Sequence, residues 1–118
     1  MTVNRGDVVL LNYPFSSGRG AKVRPAVVVQ TDRNNSRLTN TIVAMITRTT
    51  HRAQYEPTQY LLDPAKPDGS VAGVLHPSVI ACENLLTVEQ QLVFRKIGTL
   101  PAEAMRQVND CLKAALQL

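Results

Sequence analysis

Seven short apolar runs recur along the chain: DVVLLNY (7–13), PAVVVQT (25–31), NTIVAMIT (40–47), TQYLL (58–62), SVIAC (78–82), ENLLTV (83–88) and FRKIGTL (94–100). They are rich in Val, Ile, Leu and Thr, and too short for core helices, so they read as β-strands. Turn-rich stretches separate most of them: PFSSGRGAK, DRNNSRL, DPAKPDGSVAG and LHP. Many short strands punctuated by Gly, Pro and Asn indicate a small antiparallel barrel or sandwich. The period then changes. In PAEAMRQVNDCLKAALQL, Met105, Val108, Leu112 and Ala115 fall at helical spacing, with Ala104, Cys111 and Leu116 widening the stripe. Pro101 suits a first helical position, and Glu103 suits the first turn. A lone amphipathic helix must bury its stripe on the sheet. The expected fold class is mainly β with a C-terminal α-helix, a small antiparallel barrel capped by that helix.

With 118 residues, the chain is read as one domain, 1–118, able to bury a single modest core. No apolar run reaches the ~20 residues that cross a bilayer. The opening MTVNRGDVVLLNYPF reads as a mature strand and not as a signal peptide, so a cytoplasmic protein is expected. Cys82 and Cys111 sit apart in apolar surroundings and read as buried free thiols. Neither His51 nor His76 has a cysteine or carboxylate at ligand spacing, so no metal site is expected.

Net charge is +4, but it is unevenly spread. Seven bases (Arg19, Lys22, Arg24, Arg33, Arg37, Arg48 and Arg52) face a single acid, Asp32, between Ser17 and Arg52. Beyond Arg52, acids outnumber bases by two. A concentrated basic segment suits a polyphosphate partner such as RNA or DNA, or else a merely solvated face. The loop PFSSGRGAK, longer than a tight hairpin needs, reads as a mobile flap whose cations meet a ligand, or as a plain hairpin tip.

Conventional catalytic sets are missing from the sequence. No serine stands in a Gly-x-Ser-x-Gly setting, SSGRGAK lacks the spacing of a phosphate loop, and no carboxylate pair is arranged for acid/base work. Arginines, hydroxyls and amides at strand ends remain. That inventory suits RNA cleavage by the substrate's own 2′-hydroxyl, which needs alignment, charge stabilisation and proton transfer. A guanidinium fork matches a phosphate, and a threonine hydroxyl donates to the same oxygen. The residues alone do not separate such a nuclease from a passive phosphate binder.

RGDVVLL (5–11), the Gly-rich loop, KVRPAVVVQTD (22–32), TIVAMITRT (41–49) and KIGTLPAEAMRQVNDCLKAAL (96–116) together resemble the MazF/PemK family of bacterial toxins, in the right order and over nearly the whole chain. The resemblance implies an SH3-like barrel, a homodimer, and neutralisation by a small MazE-like antitoxin. It also implies a metal-independent, sequence-specific endoribonuclease acting on single-stranded RNA, with no cofactor. The products implied are a 2′,3′-cyclic phosphate and a 5′-hydroxyl. Arg24 matches the family's catalytic arginine, and Thr47 its catalytic hydroxyl residue at the end of the next long strand.

Further candidates come partly from the residues themselves and partly from the same resemblance. Arg19 and Lys22, in the loop, are expected to contact phosphates. Thr58 and Gln59 fall where members place polar RNA-contacting residues; many carry histidine where Gln59 stands, so a proton-transfer role is lost there. Glu83 and Asn84 match an acid–amide pair that contacts bases. Members often have a basic residue where this chain has Leu86, a departure that leaves one phosphate contact and the inherited cleavage sequence open. Ser78 corresponds to a polar strand residue. Phe15 is read either as stacking an unpaired base or as packing under the loop. His51 is read as a general acid or base, or as an exposed loop histidine. The proton-transfer groups stay unassigned. The rival readings are a binding toxin of the same fold that poisons DNA gyrase, and a degenerate member that binds RNA or antitoxin without cutting.

Overall fold

A computed structural model describes residues 2–14 and 20–118. Six strands run in the order β1 (Asp7–Pro14), β2 (Ala21–Val28), β3 (Asn40–Thr47), β4 (Gln59–Leu62), β5 (Ser78–Glu89) and β6 (Val93–Thr99). Helices α1 (Asp32–Arg37) and α2 (Pro67–Val71) interrupt them, and α3 (Ala102–Leu116) closes the chain. All ladders are antiparallel, in the order β4-β5-β3-β2-β1-β6. The expected mainly-β class with a C-terminal helix holds, and the sheet is SH3-like but not closed: among the described residues, edges β4 and β6 share no ladder.

The sheet buries both faces, which explains why its strands are nearly continuous apolar runs. On one face Val8, Val27, Ala44 and Ile46 pack under Ala104, Met105, Val108 and Cys111 of α3. On the other, Val9, Ala26, Val28, Val43 and Met45 form a second cluster with Val3, Val88 and Val93. Successive residues of β2 and β3 therefore serve opposite cores, as the strand period of two requires.

The sequence expectations are corrected in five places. The runs 78–82 and 83–88 form one strand, β5. Met45 faces Ala81 while Ala44 faces Leu85, so Cys82, Glu83 and Asn84 are inserted at a bulge without partners on β3. DPAKPDGSVAG contains α2, and β2 begins at Ala21, so Lys22 belongs to a strand and not to the loop. Pro101 caps α3, whose first helical residue is Ala102.

The fifth correction is DRNNSRL, expected as a turn, which forms α1. Its anchor is Asn35, buried at 2% exposure. Asn35 Oδ1 accepts from Gln30 Nε2 (2.9 Å) and Thr41 Oγ1 (2.7 Å), while Asn35 Nδ2 donates to the Gln30 carbonyl (3.0 Å). Gln90 Nε2 donates to the Asn35 and Leu38 carbonyls at 2.9 and 3.0 Å, and the Val3 amide donates to Gln90 Oε1 at 3.0 Å. Buried amides that satisfy one another in this way define a local structure that short-range propensity does not.

Two glycines fix the approach to β5. A Cβ on Gly73, whose φ is +80°, would stand 2.2 Å from the Ile97 carbonyl oxygen, and one on Gly98 would stand 2.3 Å from that of Val71. Only hydrogen at both positions lets the segment after α2 lie against β6. For the Asn35 network, Asn35→Ala is expected to cost about 1–3 kcal/mol, since it leaves buried partners unsatisfied. Exposed Ser36→Ala is expected to stay within about 0.5 kcal/mol. Urea unfolding of both variants checks this, and equal small effects would remove the network from the account.

Candidate active site

At the end of the sheet where β2 begins and β3 finishes, a groove of about 890 Å³ opens toward the start of β5 and the middle of β6. Both Arg24 and Thr47 line it. The β2–β3 ladder explains why. Ala26 faces Met45 in the last pair of that ladder, and Arg24 and Thr47 each lie two residues beyond it on their own strand, toward the groove. On its other side Arg24 faces Leu11 of β1. Arg24 is exposed and Thr47 half-buried. The Thr49 amide donates to Thr47 Oγ1 at 3.3 Å, which engages an acceptor lone pair and not the hydroxyl proton.

The groove is cationic. Lys22 and Arg24 come from β2, Arg48 from the residue after β3, and Arg95 and Lys96 from β6, with no acidic side chain among its lining residues. Behind it stands buried Asp7, whose Oδ1 lies 3.1 Å from Lys96 Nζ and whose Oδ2 accepts the Asn4 amide at 2.9 Å. Asp7 thus orients one of the five cations. The remaining like charges repel one another, a repulsion that an anion in the groove relieves. Arg48 belongs to the basic segment noted in the sequence, whereas Arg95, Lys96 and His76 were not singled out as ligand contacts. Arg95 and Lys96 lie in the acid-rich part of the chain, and only the β1–β6 pairing carries them beside β2.

Ser78 lines the groove but is buried, and its Oγ donates to the His76 carbonyl at 2.8 Å. It shapes the loop before β5 and does not point a hydroxyl at a ligand. Phe15 and Arg19 lie outside the described residues. His51 is exposed and lines a separate hollow of about 420 Å³ with Gln54 and Pro77.

Four other expected contacts gather apart from Arg24 and Thr47. At the β5 bulge, Glu83 accepts from Thr58 Oγ1 (2.9 Å) and Gln59 Nε2 (2.7 Å), one bond to each carboxylate oxygen. Burial pushes the Glu83 carboxyl up. The hydrogen bonds from Gln59, its own backbone and Thr58, with the nearby Arg52 charge, outweigh this and hold it below the ordinary glutamate value. Glu83 is therefore a fixed anionic acceptor, suited to amino and imino donors. Asn84 is exposed beside it. None of the four lines the Arg24 groove. The bulge makes this cluster: it turns Glu83 out of the β3 ladder, while the Cys82 amide bonds the Thr58 carbonyl at 3.0 Å and draws Thr58 alongside.

Cys82 and Cys111 are buried free thiols, as expected, and burial pushes Cys82 up to about 12, far from a reactive thiolate. Among the described residues, no group of three or more His, Cys, Asp or Glu is arranged to hold a metal ion.

Comparison with known proteins bears on the same chain. Residues 4–116 match the profile of a family described as PemK-like, MazF-like toxin of type II toxin-antitoxin system. Endoribonuclease EndoA of Bacillus subtilis (strain 168) is 33% identical over 119 residues, covering 100% of this chain and 97% of that protein. Endoribonuclease MazF of Staphylococcus saprophyticus is 28% identical over 123 residues, covering 98% and 92%. Among solved structures, a mycobacterial endoribonuclease superposes with a TM-score of 0.76 at 19% identity, covering 100% of this chain and 94% of that one. A MazE-MazF structure from Deinococcus radiodurans superposes with a TM-score of 0.75 at 18% identity, covering 100% and 99%. These two share the fold, and the profile match over nearly all residues settles the relationship: the chain belongs to the PemK-like, MazF-like toxins of type II toxin–antitoxin systems.

Proposed function

We propose that this toxin is an endoribonuclease that cuts single-stranded messenger RNA without a metal, the whole chain 1–118 acting as one toxin domain. The observation that carries the reading is the joint presence of Arg24 and Thr47 in one cation-lined groove. The 2′-hydroxyl of the substrate attacks the adjacent phosphorus, the bond to the 5′ oxygen breaks, and the products are a 2′,3′-cyclic phosphate and a 5′-hydroxyl. Charge develops on the non-bridging oxygens, where the Arg24 guanidinium stabilises it in a bidentate fork. The Thr47 hydroxyl donates to the same group and fixes its orientation. Lys22 meets a flanking phosphate. Thr58, Gln59, Glu83 and Asn84 read bases, with the Glu83 carboxylate taking base N–H donors.

Relatives named endoribonucleases, 33% and 28% identical over almost the whole chain, support the activity. A related mycobacterial endoribonuclease has been solved with its cognate antitoxin. This toxin would likewise work as a homodimer restrained by a MazE-like antitoxin. Its substrate makes the cytoplasm its site of action, and among the described residues no helix is long and apolar enough to cross a membrane.

Incubation with mixed single-stranded RNA in EDTA, followed by end mapping, tests the activity. New 5′-hydroxyl ends are expected, with Arg24→Ala and Thr47→Ala each losing about 10²–10³-fold. Undiminished cleavage by both folded variants would refute these site assignments, and no cleavage by the wild type would favour a non-catalytic binder. Salt dependence tests the groove separately. Arg95→Ala is expected to shallow the slope of log affinity against log salt by about 0.7, one phosphate contact on a single strand. An unchanged slope would remove Arg95 from the RNA path.

A further inference from the structure

Cleavage at the groove requires a proton for the departing 5′ oxygen, and the residues assigned so far do not supply one. Guanidinium and ammonium groups hold their protons at neutral pH, and the Thr47 hydroxyl is far too weak an acid. Glu83 is held in its anionic form by Thr58 and Gln59 and does not line the groove. His51 belongs to the other hollow. One imidazole remains: His76 is exposed and lines the same groove as Arg24 and Thr47.

The fold holds that histidine in place from both sides. Gly73 packs against the Ile97 carbonyl at a distance that excludes a Cβ, which pins the start of the segment to β6. Ser78 Oγ donates to the His76 carbonyl at 2.8 Å, which pins the end, and Pro77 between them restricts the backbone of His76 to extended conformations. The β3–β5 register pairs Thr47 with Val79, so the start of β5 lies alongside the end of β3. His76 is thus an exposed residue that lines the groove on an anchored backbone. The charged groups sharing the groove are Lys22 and Arg24 from β2, Arg48 from the end of β3, and Arg95 and Lys96 from β6, all cationic.

We propose that His76 is the general acid of the reaction, a role that rests on the endoribonuclease reading above. As the 2′ oxygen bonds to phosphorus, its proton passes to solvent water. The bond from phosphorus to the 5′ oxygen breaks, and its electron pair takes the N–H proton of the His76 imidazolium. The neutral imidazole then recovers a proton from solvent, so atoms and charge balance over one turnover. Imidazole is the side chain best suited to this exchange near neutrality.

A substrate with sulfur in place of the bridging 5′ oxygen separates this role from simple phosphate contact, because a thiolate departs without protonation. On ordinary RNA in EDTA, His76→Ala is expected to lower kcat by about 10²–10³-fold with KM changed by less than about threefold. On the 5′-thio substrate the same variant is expected within about threefold of wild type, while Arg24→Ala stays impaired on both. Thermal unfolding confirms that the variant folds, and His76→Gln serves as a second variant that cannot donate as an acid. Equal losses on both substrates, a pure rise in KM, or undiminished cleavage of ordinary RNA would overturn the assignment while leaving the endoribonuclease reading intact. Failure of the wild type to cut either substrate would overturn both.

Discussion

The hydrogen-bonded ladder between β2 and β3 stops at Ala26 and Met45, two residues short of Arg24 and Thr47. Everything proposed about the site depends on that ending. Inside the ladder, the neighbours of the two polar residues are buried on alternate faces in separate apolar clusters. A register slip of one residue would send each side chain into the opposite cluster, among neighbours it does not fit, so the register is fixed by both cores at once. The placing of Arg24 and Thr47, each two residues beyond the last pair and both at the groove, is therefore inherited from core packing. The continuous apolar run after Pro25 supplies that packing, and Pro25 restricts Arg24 to an extended backbone that continues the strand direction.

The rest of the sheet brings charge to this point. Strand β6 pairs with β1, which pairs with β2, so Arg95 and Lys96 arrive beside Lys22 and Arg24 although more than 70 residues separate them in sequence. Such a gathering of cations is unfavourable in an empty groove and favourable when a phosphate chain fills it. Asp7 limits the cost by pairing with Lys96 from a buried position. The second polar cluster, around Glu83, depends on a different device. Three inserted residues in β5 free the carboxylate from the ladder, and Thr58 and Gln59 then fix it as an acceptor.

How much of this was legible follows from the range of the interactions. Strands and the C-terminal helix were readable because their signals are local: runs of β-branched residues and a 3.6-residue stripe. The break expected between Cys82 and Glu83 was a true feature misread, a bulge within one strand and not a gap between two. Helix α1 was invisible because its anchor, Asn35, is held by Gln90, 55 residues further along. Arg24 and Thr47 were found through family resemblance, and the ladder supplies the geometric reason. Arg95, Lys96 and His76 were missed because segment-by-segment charge counting ignores which strands become neighbours. The grouping of Thr58 and Gln59 with Glu83, apart from Arg24, was equally beyond a linear reading.

The central claim is that Arg24 and Thr47 act on one phosphate. A double-mutant cycle on kcat for a single-site RNA tests it, using Arg24→Ala, Thr47→Ala and the double variant, all verified as folded. Residues serving the same transition-state group lose their contributions together, so the double variant is expected to fall less than about tenfold below the worse single variant. Losses that multiply in full would show two independent contributions and contradict a shared phosphate.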